Sequence, residues 1–393
     1  MKKLILIICS LGGILGWYIF FLYLDPSLFF KTQAFSKIHT EKMGFVENIP
    51  IVYINGDGYS AWFQHGNLLQ KEIHETVDYL KERIFKTKTV NGFLLYTYFV
   101  GKAKQLDKQI PQIYREEMSG IADSANVSYI DILFINTYDD LLNLSGCSSI
   151  AGTKNDINSL FFHARNLDYT IDFLANKNVV FHNQTSGVIS VGFPWYIGTL
   201  SATNYSGLSL SSHTSSSHNN TIGVPTGILY RKIIDEAKTI NDAENILKNT
   251  RKTIGNNLLV SSLRENKITI FEITADKTIS INNQKYAVAT NHFVSPELSL
   301  ADDTGTNSHK RHSYLNDFYQ NTPQLQITDL IKMMSFYDGG NKGWSSVANK
   351  WTIQSIIFIP ESGRVYIAKG IQTPVTKDWY ISYDYSKFLP SEL

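Results

Sequence analysis

Between Gln64 and Phe85 the apolar positions Leu69, Ile73, Val77, Leu80 and Ile84 recur at steps of three and four, which puts them on one side of a helix. Such a face has to be buried. A second helix is predicted from Pro111 to Asp123, with proline in the first turn and Ile113 and Ile121 inward. Ser128, with Asp131 three residues on, is a capping pair that opens a third helix through Ile132, Ile135 and Leu142. After Cys147 the pattern becomes short apolar or alternating runs broken by Gly, Asn, Asp and Ser, the texture of strands and hairpins. Strands are predicted at 148–151, 160–165, 179–182, 188–191, 199–203, 207–211, 257–262, 267–273, 286–290, 354–359 and 364–368. Helices interrupt them at 225–237 and 241–249, the latter capped by Asn241 with Glu244 three residues later, and two more follow at 310–321 and 328–335. Helices bracketing two runs of antiparallel strands predict a layered α+β fold.

The first 25 residues have a different pattern. Lys2 and Lys3 precede an almost unbroken apolar run from Leu4 to Leu24 that stops at Asp25. About 20 such residues match a bilayer core, and no small-residue cleavage site follows. The segment reads as a retained membrane anchor; a cleaved signal is the alternative, including a short lipoprotein signal ending at Cys9. The two lysines orient the remainder toward the periplasm, the cell exterior or a lumen, although Lys31, Lys37 and Lys42 weaken that orientation. Residues 26–51 lack a clear period and read as a linker, 52–146 as a helical segment, and 147–393 as the main α+β body.

Composition narrows the function. With 43% hydrophobic residues, 13% aromatic residues and a net charge of +1, the 393-residue chain is globular and lacks the basic excess of a nucleic-acid binder. Only two cysteines occur, Cys9 inside the apolar run and Cys147, so neither a disulfide framework nor a CxxC metal knuckle is available. Cys147 is expected to be a free thiol. It follows a glycine, and His163-Ala164-Arg165-Asn166-Leu167-Asp168-Tyr169 arrives on the next apolar run with a cation and a carboxylate to orient it.

Five motifs then fall in order: Gly146-Cys147-Ser148-Ser149, Ala164-Arg165-Asn166-Leu167-Asp168, Ser201-Ala202-Thr203-Asn204, Ala289-Thr290-Asn291-His292 and His309-Lys310-Arg311. In this order and rough spacing the chain resembles the N-terminal-nucleophile cysteine amidases. It is most similar among them to the acyl-coenzyme A:6-aminopenicillanic acid acyltransferase group, and more distantly to bile-salt hydrolases and acid ceramidases. The segment Glu117 to Ala125 is similar to the helical lead-in of these proteins. The resemblance spans roughly Gly56 to Lys369 and implies a four-layer αββα sandwich behind the N-terminal helix. It also implies synthesis as a precursor: the Cys147 thiol attacks the Gly146 carbonyl and the resulting ester hydrolyses, leaving Cys147 at a new N-terminus. Glycine suits the residue before the cut because it tolerates unusual dihedrals. The freed α-amine, which ordinarily titrates near pH 8, then serves as base and acid.

By the same resemblance Asp168 holds the new α-amine and Arg165 holds the thiol region or a substrate carbonyl, a cation that also favours thiolate. Asn204 and Asn291 are implied as oxyanion donors, and Arg311 as a brace of the site. The expected reaction is hydrolysis of a linear amide, or acyl transfer, through a Cys147 thioester, on a small acylated amine or N-acyl lipid. No cofactor and no metal are expected. Pocket walls are expected from 169–175, 193–197 and 205–220, where Phe193, Trp195 and Tyr196 suit an acyl chain. A phospholipase-type esterase of the same nucleophile class and an inactive surface-tethered binding protein are the alternatives. His213 and His218 read as part of a solvated Ser-rich loop, and His163 as a packed strand histidine. His292, His309 and His312 read as supporting or surface residues, and no GxSxG, HExxH or Walker loop is present.

Overall fold

A computed structural model describes residues 42–86, 91–142, 145–155, 158–215, 220–299, 306–338 and 344–391. The anchor predicted at 1–25 lies outside them. Among the described residues no helix is long and apolar enough to cross a membrane.

The chain opens with a hairpin, β1 (Lys42–Val46) and β2 (Ile49–Ile54), so residues 42–51 are strand and turn, not linker. Five helices follow: α1 (Gly58–Leu68), α2 (Gln70–Phe85), α3 (Gly92–Asp107), α4 (Gln112–Ala125) and α5 (Tyr129–Leu142). The periodic stripe on α2 is the buried one, with Ile73, Val77, Leu80 and Ile84 inward. Helix α5 has the expected cap, Ser128 Oγ accepting from Asp131 N at 3.1 Å. Helix α3 escapes the periodicity, because its run from Phe93 to Val100 is apolar on nearly every side and leaves Phe93, Leu94 and Tyr98 exposed.

Then come β3 (Ser145–Gly152), β4 (Phe162–Tyr169), β5 (Val179–Asn183), β6 (Val188–Gly192), β7 (Ser201–Asn204) and β8 (Leu208–Thr214). Helices α6 (Thr226–Glu236) and α7 (Ile240–Asn249) lead to β9 (Asn256–Ser262), β10 (Lys267–Ile273), β11 (Thr278–Asn283) and β12 (Tyr286–Ala289). Helices α8 (Thr306–Asn321) and α9 (Ile327–Met334) precede β13 (Thr352–Ile359), β14 (Arg364–Ala368) and β15 (Tyr380–Asp384). The cap of α7 is Thr239 in a reciprocal box with Asp242, two residues ahead of the Asn241–Glu244 pair.

Two sheets result, of order β1-β2-β5-β6-β7-β8-β9-β10-β11 and β12-β3-β4-β13-β14-β15. All pairings between these strands are antiparallel except β2 with β5. The sheets face each other through Ile51, Val180 and Ile189 against Ile356, Phe358 and Ile367. Helices α6 and α7 cover the outer face of the larger sheet, where Leu229 and Ile233 meet Leu210 and Leu258. Helices α8 and α9 cover the smaller one, with Leu315 and Met333 against Ile150 and Ala164. This mixed α+β layering agrees with the predicted arrangement. The N-terminal helices share a core with Cys147, Leu167 and Tyr169, so they close the part of the sandwich where the thiol lies.

Candidate active site

The pairing of β3 with β4 sets the site. Register places Cys147 opposite Leu167, Ser149 opposite Arg165 and Gly146 opposite Asp168. Since residues directly opposite share a face, Cys147 and Arg165 point toward the larger sheet, while Asp168 lies on the helix-covered face beside the Gly146-Cys147 peptide. Cys147 is 1% exposed. Arg165 Nη2 donates to Cys147 Sγ at 3.2 Å and to the Ser212 carbonyl at 3.0 Å, and Nη1 donates to Ser201 Oγ at 2.8 Å. Burial pushes the thiol pKa above its ordinary value, more than Arg165 pulls it down, so in the uncut chain Cys147 is held as a thiol and not as the expected thiolate.

On the other side of the strand Arg311, from α8, grips the backbone. It donates to the Cys147 carbonyl, to Ser148 Oγ at 2.8 Å and to Asn291 Oδ1 at 2.9 Å. Asn291 joins the cluster with its acceptor: Oδ1 takes the Cys147 N–H at 2.8 Å, while Nδ2 donates to the Thr214 carbonyl at 2.7 Å. The two donors on Oδ1 fix the amide orientation. Its side chain thus holds the nucleophile's own nitrogen, where the expected contact was donation to an oxyanion. Asp168 accepts from Thr352 Oγ1 and Asn349 Nδ2, both at 2.6 Å. Burial raises its pKa to about 6 against the pull of Arg311, Thr352, Asn349 and Arg165.

Asn204 does not join this group. Its Nδ2 donates to the carbonyls of Ile234 and Ala237 at 3.1 and 2.9 Å, closing the C-terminal end of α6, and Oδ1 accepts from Ser206 N and Leu208 N in the β7–β8 turn. The residue of that motif which reaches the site is Ser201, three positions earlier, about 10 Å along an extended strand.

Gly146 also corrects an expectation. It lies in a regular strand and is not among the glycines with positive φ. What excludes a side chain is Trp344, whose ring carbon would stand 2.7 Å from an added Cβ. Trp344 stacks on Trp351 at 4.1 Å between ring centroids.

His213 is wholly buried on β8, not in a solvated loop; Nε2 meets Ser149 Oγ at 2.6 Å and Nδ1 meets the Asn257 carbonyl at 2.9 Å. His163 packs as predicted, between Ser211 Oγ at 2.8 Å and Ser261 Oγ at 2.9 Å, its pKa lowered to about 3 by burial. His218 lies outside the described residues. Among those residues no group of three or more His, Cys, Asp or Glu side chains is arranged to hold a metal ion.

A mostly apolar cleft lies beside the strand pair that carries the thiol. Leu167, the cross-strand partner of Cys147, and Leu200, next to Ser201, form one side; Leu80, Ile135, Phe193 and Trp195 form much of the rest. The predicted walls at 169–175 and 193–197 take part, whereas 205–214 is turn and central strand.

Residues 153–372 match the family of acyl-coenzyme A:6-aminopenicillanic acid acyl-transferases. That is more than half of the chain. The chain belongs to this family. The match begins six residues after Cys147 and includes Arg165, Asp168, Asn291 and Arg311. Among similar proteins, protein dcd1B of Dictyostelium discoideum is 24% identical over 283 residues, 63% of this chain and 55% of that one. A probable acid ceramidase of Caenorhabditis elegans is 34% identical over 101 residues, 25% of this chain and 24% of its own. The chain spans about half the length of the first curated relatives it matches. Solved structures similar to it include the Caenorhabditis elegans N-acylethanolamine-hydrolyzing acid amidase ortholog, 15% identical, covering 61% of this chain and 99% of that one with a TM-score of 0.42. Penicillin V acylase from Agrobacterium tumefaciens is 14% identical, covering 63% and 89%, with a TM-score of 0.45.

Proposed function

We propose that this family member is a cysteine amidase or acyltransferase that matures by cutting itself between Gly146 and Cys147. The observation that carries the reading is the set of contacts on one residue: Arg165 on the Cys147 sulfur, Asn291 on its nitrogen, Arg311 on its carbonyl and Asp168 across from the residue before it. Four groups surround Cys147 and the peptide that precedes it.

Maturation balances simply. Cys147 Sγ attacks the Gly146 carbonyl carbon, the C–N bond breaks, and the thiol proton passes to the departing nitrogen. Water then hydrolyses the thioester, leaving a Gly146 carboxylate and a free Cys147 amine. In the uncut chain this nitrogen is an amide and cannot act as a base; afterwards it is an amine with a pKa of about 8. Asn291 Oδ1, already within 2.8 Å, and Asp168 would then orient it. In turnover the thiolate attacks the substrate carbonyl, the amine protonates the departing nitrogen, and water or an acceptor amine takes the acyl group from sulfur. Substrates in this reading are small acylated amines or N-acyl lipids whose acyl part enters the cleft, and Leu4 to Leu24 tether the protein to a membrane with its catalytic part outside the cytoplasm.

The test combines Cys147→Ala with N-terminal sequencing of the purified protein and paired amide and ester substrates of one acyl group. The reading expects two chains in the wild type, one in the variant, and turnover only in the former. Faster turnover of the ester would favour an esterase, and an uncut wild type without turnover a binding protein.

A further inference from the structure

The cleft beside Cys147 contains one carboxyl group. Asp139, on α5, lines it together with Leu80, Ile135, Leu167, Phe193 and Trp195, and the Tyr169 hydroxyl donates to its Oδ1. A carboxylate accepts up to about four hydrogen bonds, so acceptor capacity remains toward the cleft. Leaving such a group at an apolar wall is costly unless a donor meets it. The plain acyl chain that the other walls would suit supplies none.

Register and the Tyr169 contact put that donor several atoms from the nucleophile. Tyr169 is on β4, on the same face as Leu167 and two residues beyond it, and Leu167 stands opposite Cys147. At roughly 3.3 Å per residue, the backbone of Tyr169 is displaced from that of Leu167 by about 7 Å along the strand, and the carboxylate lies at the far end of its side chain. Burial raises the Asp139 carboxyl to about 6, with Asp140 raising it further and Tyr169 and Arg165 opposing, so it is mainly ionised at neutral pH.

We propose that the cleft selects acyl groups bearing a hydrogen-bond donor, a hydroxyl or an ammonium, several atoms from the scissile carbonyl, with Asp139 as the specificity determinant. This rests on Cys147 being the nucleophile. A methyl-ended chain leaves the carboxylate without its second partner, and a carboxylate-ended chain meets like charge. Loss of a built hydrogen bond discriminates far more strongly than one methylene does.

The experiment uses matured full-length protein and four anilides of equal chain length, their acyl ends being methyl, hydroxyl, ammonium or carboxylate. In the wild type, kcat/KM for the hydroxyl and ammonium forms should exceed that of the methyl form by about tenfold or more, with the carboxylate form poorest. Asp139→Asn should keep the hydroxyl preference and lose the ammonium preference; Asp139→Leu should prefer methyl. A wild type that prefers methyl, or turns over none of the four once cut, overturns the proposal. So does an Asp139→Asn protein that is slower on all four by one factor, since support of Tyr169 alone would do that. Turnover of all four by Cys147→Ala refutes the nucleophile reading instead.

Discussion

Cys147 shows how far neighbours decide what a side chain can do. A thiol after glycine with an arginine and an aspartate downstream is legible in the sequence, and β3 and β4 bring those three together. What cannot be read there is the balance of burial against charge: Cys147 is buried in the uncut chain, and burial raises its thiol pKa more than Arg165 lowers it. Nor can the reason for Gly146 be read, because the Trp344 ring that excludes a Cβ is nearly 200 residues away. Gly146→Ala should therefore slow self-cleavage markedly, and adding Trp344→Ala should restore much of the rate by vacating that space. Cleavage followed by mass spectrometry checks this; a Gly146→Ala chain that cuts at the wild-type rate contradicts it. Asp168 sets the pH response. Its pKa is raised to about 6 from an ordinary value of 3.8, so the carboxylate needed beside the amine is lost as pH falls through 6, not through 4. Cleavage and turnover should show an acidic limb near pH 6. Linkage has the opposite sign for stability: this group favours the fold most below about pH 4, loses that contribution as pH rises from 4 to 6, and changes little above it.

Single elements explain where the sequence misleads. Strand β8 reads Leu208-Ser-Leu-Ser-Ser-His213-Thr, an alternation that signals one buried and one wet face. Leu208 and Leu210 do face the α6–α7 layer, but Ser209, Ser211 and His213 are buried too. In a sandwich the second face belongs to the other sheet, and here it is a hydrogen-bonded polar seam. His213→Ala should accordingly cost roughly 2–4 kcal/mol by leaving a cavity and stranding Ser149 and the Asn257 carbonyl, a loss measurable by denaturant titration. Asn204 misleads for a related reason, since an asparagine ending a strand suits a turn and a helix end as well as a catalytic site. Asn204→Ala should lower stability by about 1–3 kcal/mol while leaving kcat per folded molecule close to wild type. A large fall in kcat with unchanged stability would return it to the site. Edge strand β11 alternates in Thr278-Ile279-Ser280-Ile281-Asn282 but offers only two apolar positions, neither of them fully buried, so its signal is short.

At the scale of the molecule, the helices before the cut and the sheets after it form one core. Leu80, Ile135 and Tyr138 pack in the same cluster as Cys147, Leu167 and Phe193, and all three lie in the wall of the cleft. Cleavage at Gly146 should therefore leave two chains that copurify in native buffer and separate only in denaturant. Truncation through Leu24 should yield a soluble folded body, because all of these contacts lie beyond it. The layered α+β plan is legible because most strands and helices have clear periods; the two-sheet order is not, since it depends on which polar faces meet.

The central claim is that Cys147 is both the agent and the product of the cut. N-terminal sequencing of the purified wild-type chain measures it most directly. The account predicts a fragment beginning Cys-Ser-Ser-Ile in the wild type and none in Cys147→Ala. A fully active wild type that remains one intact chain would contradict it.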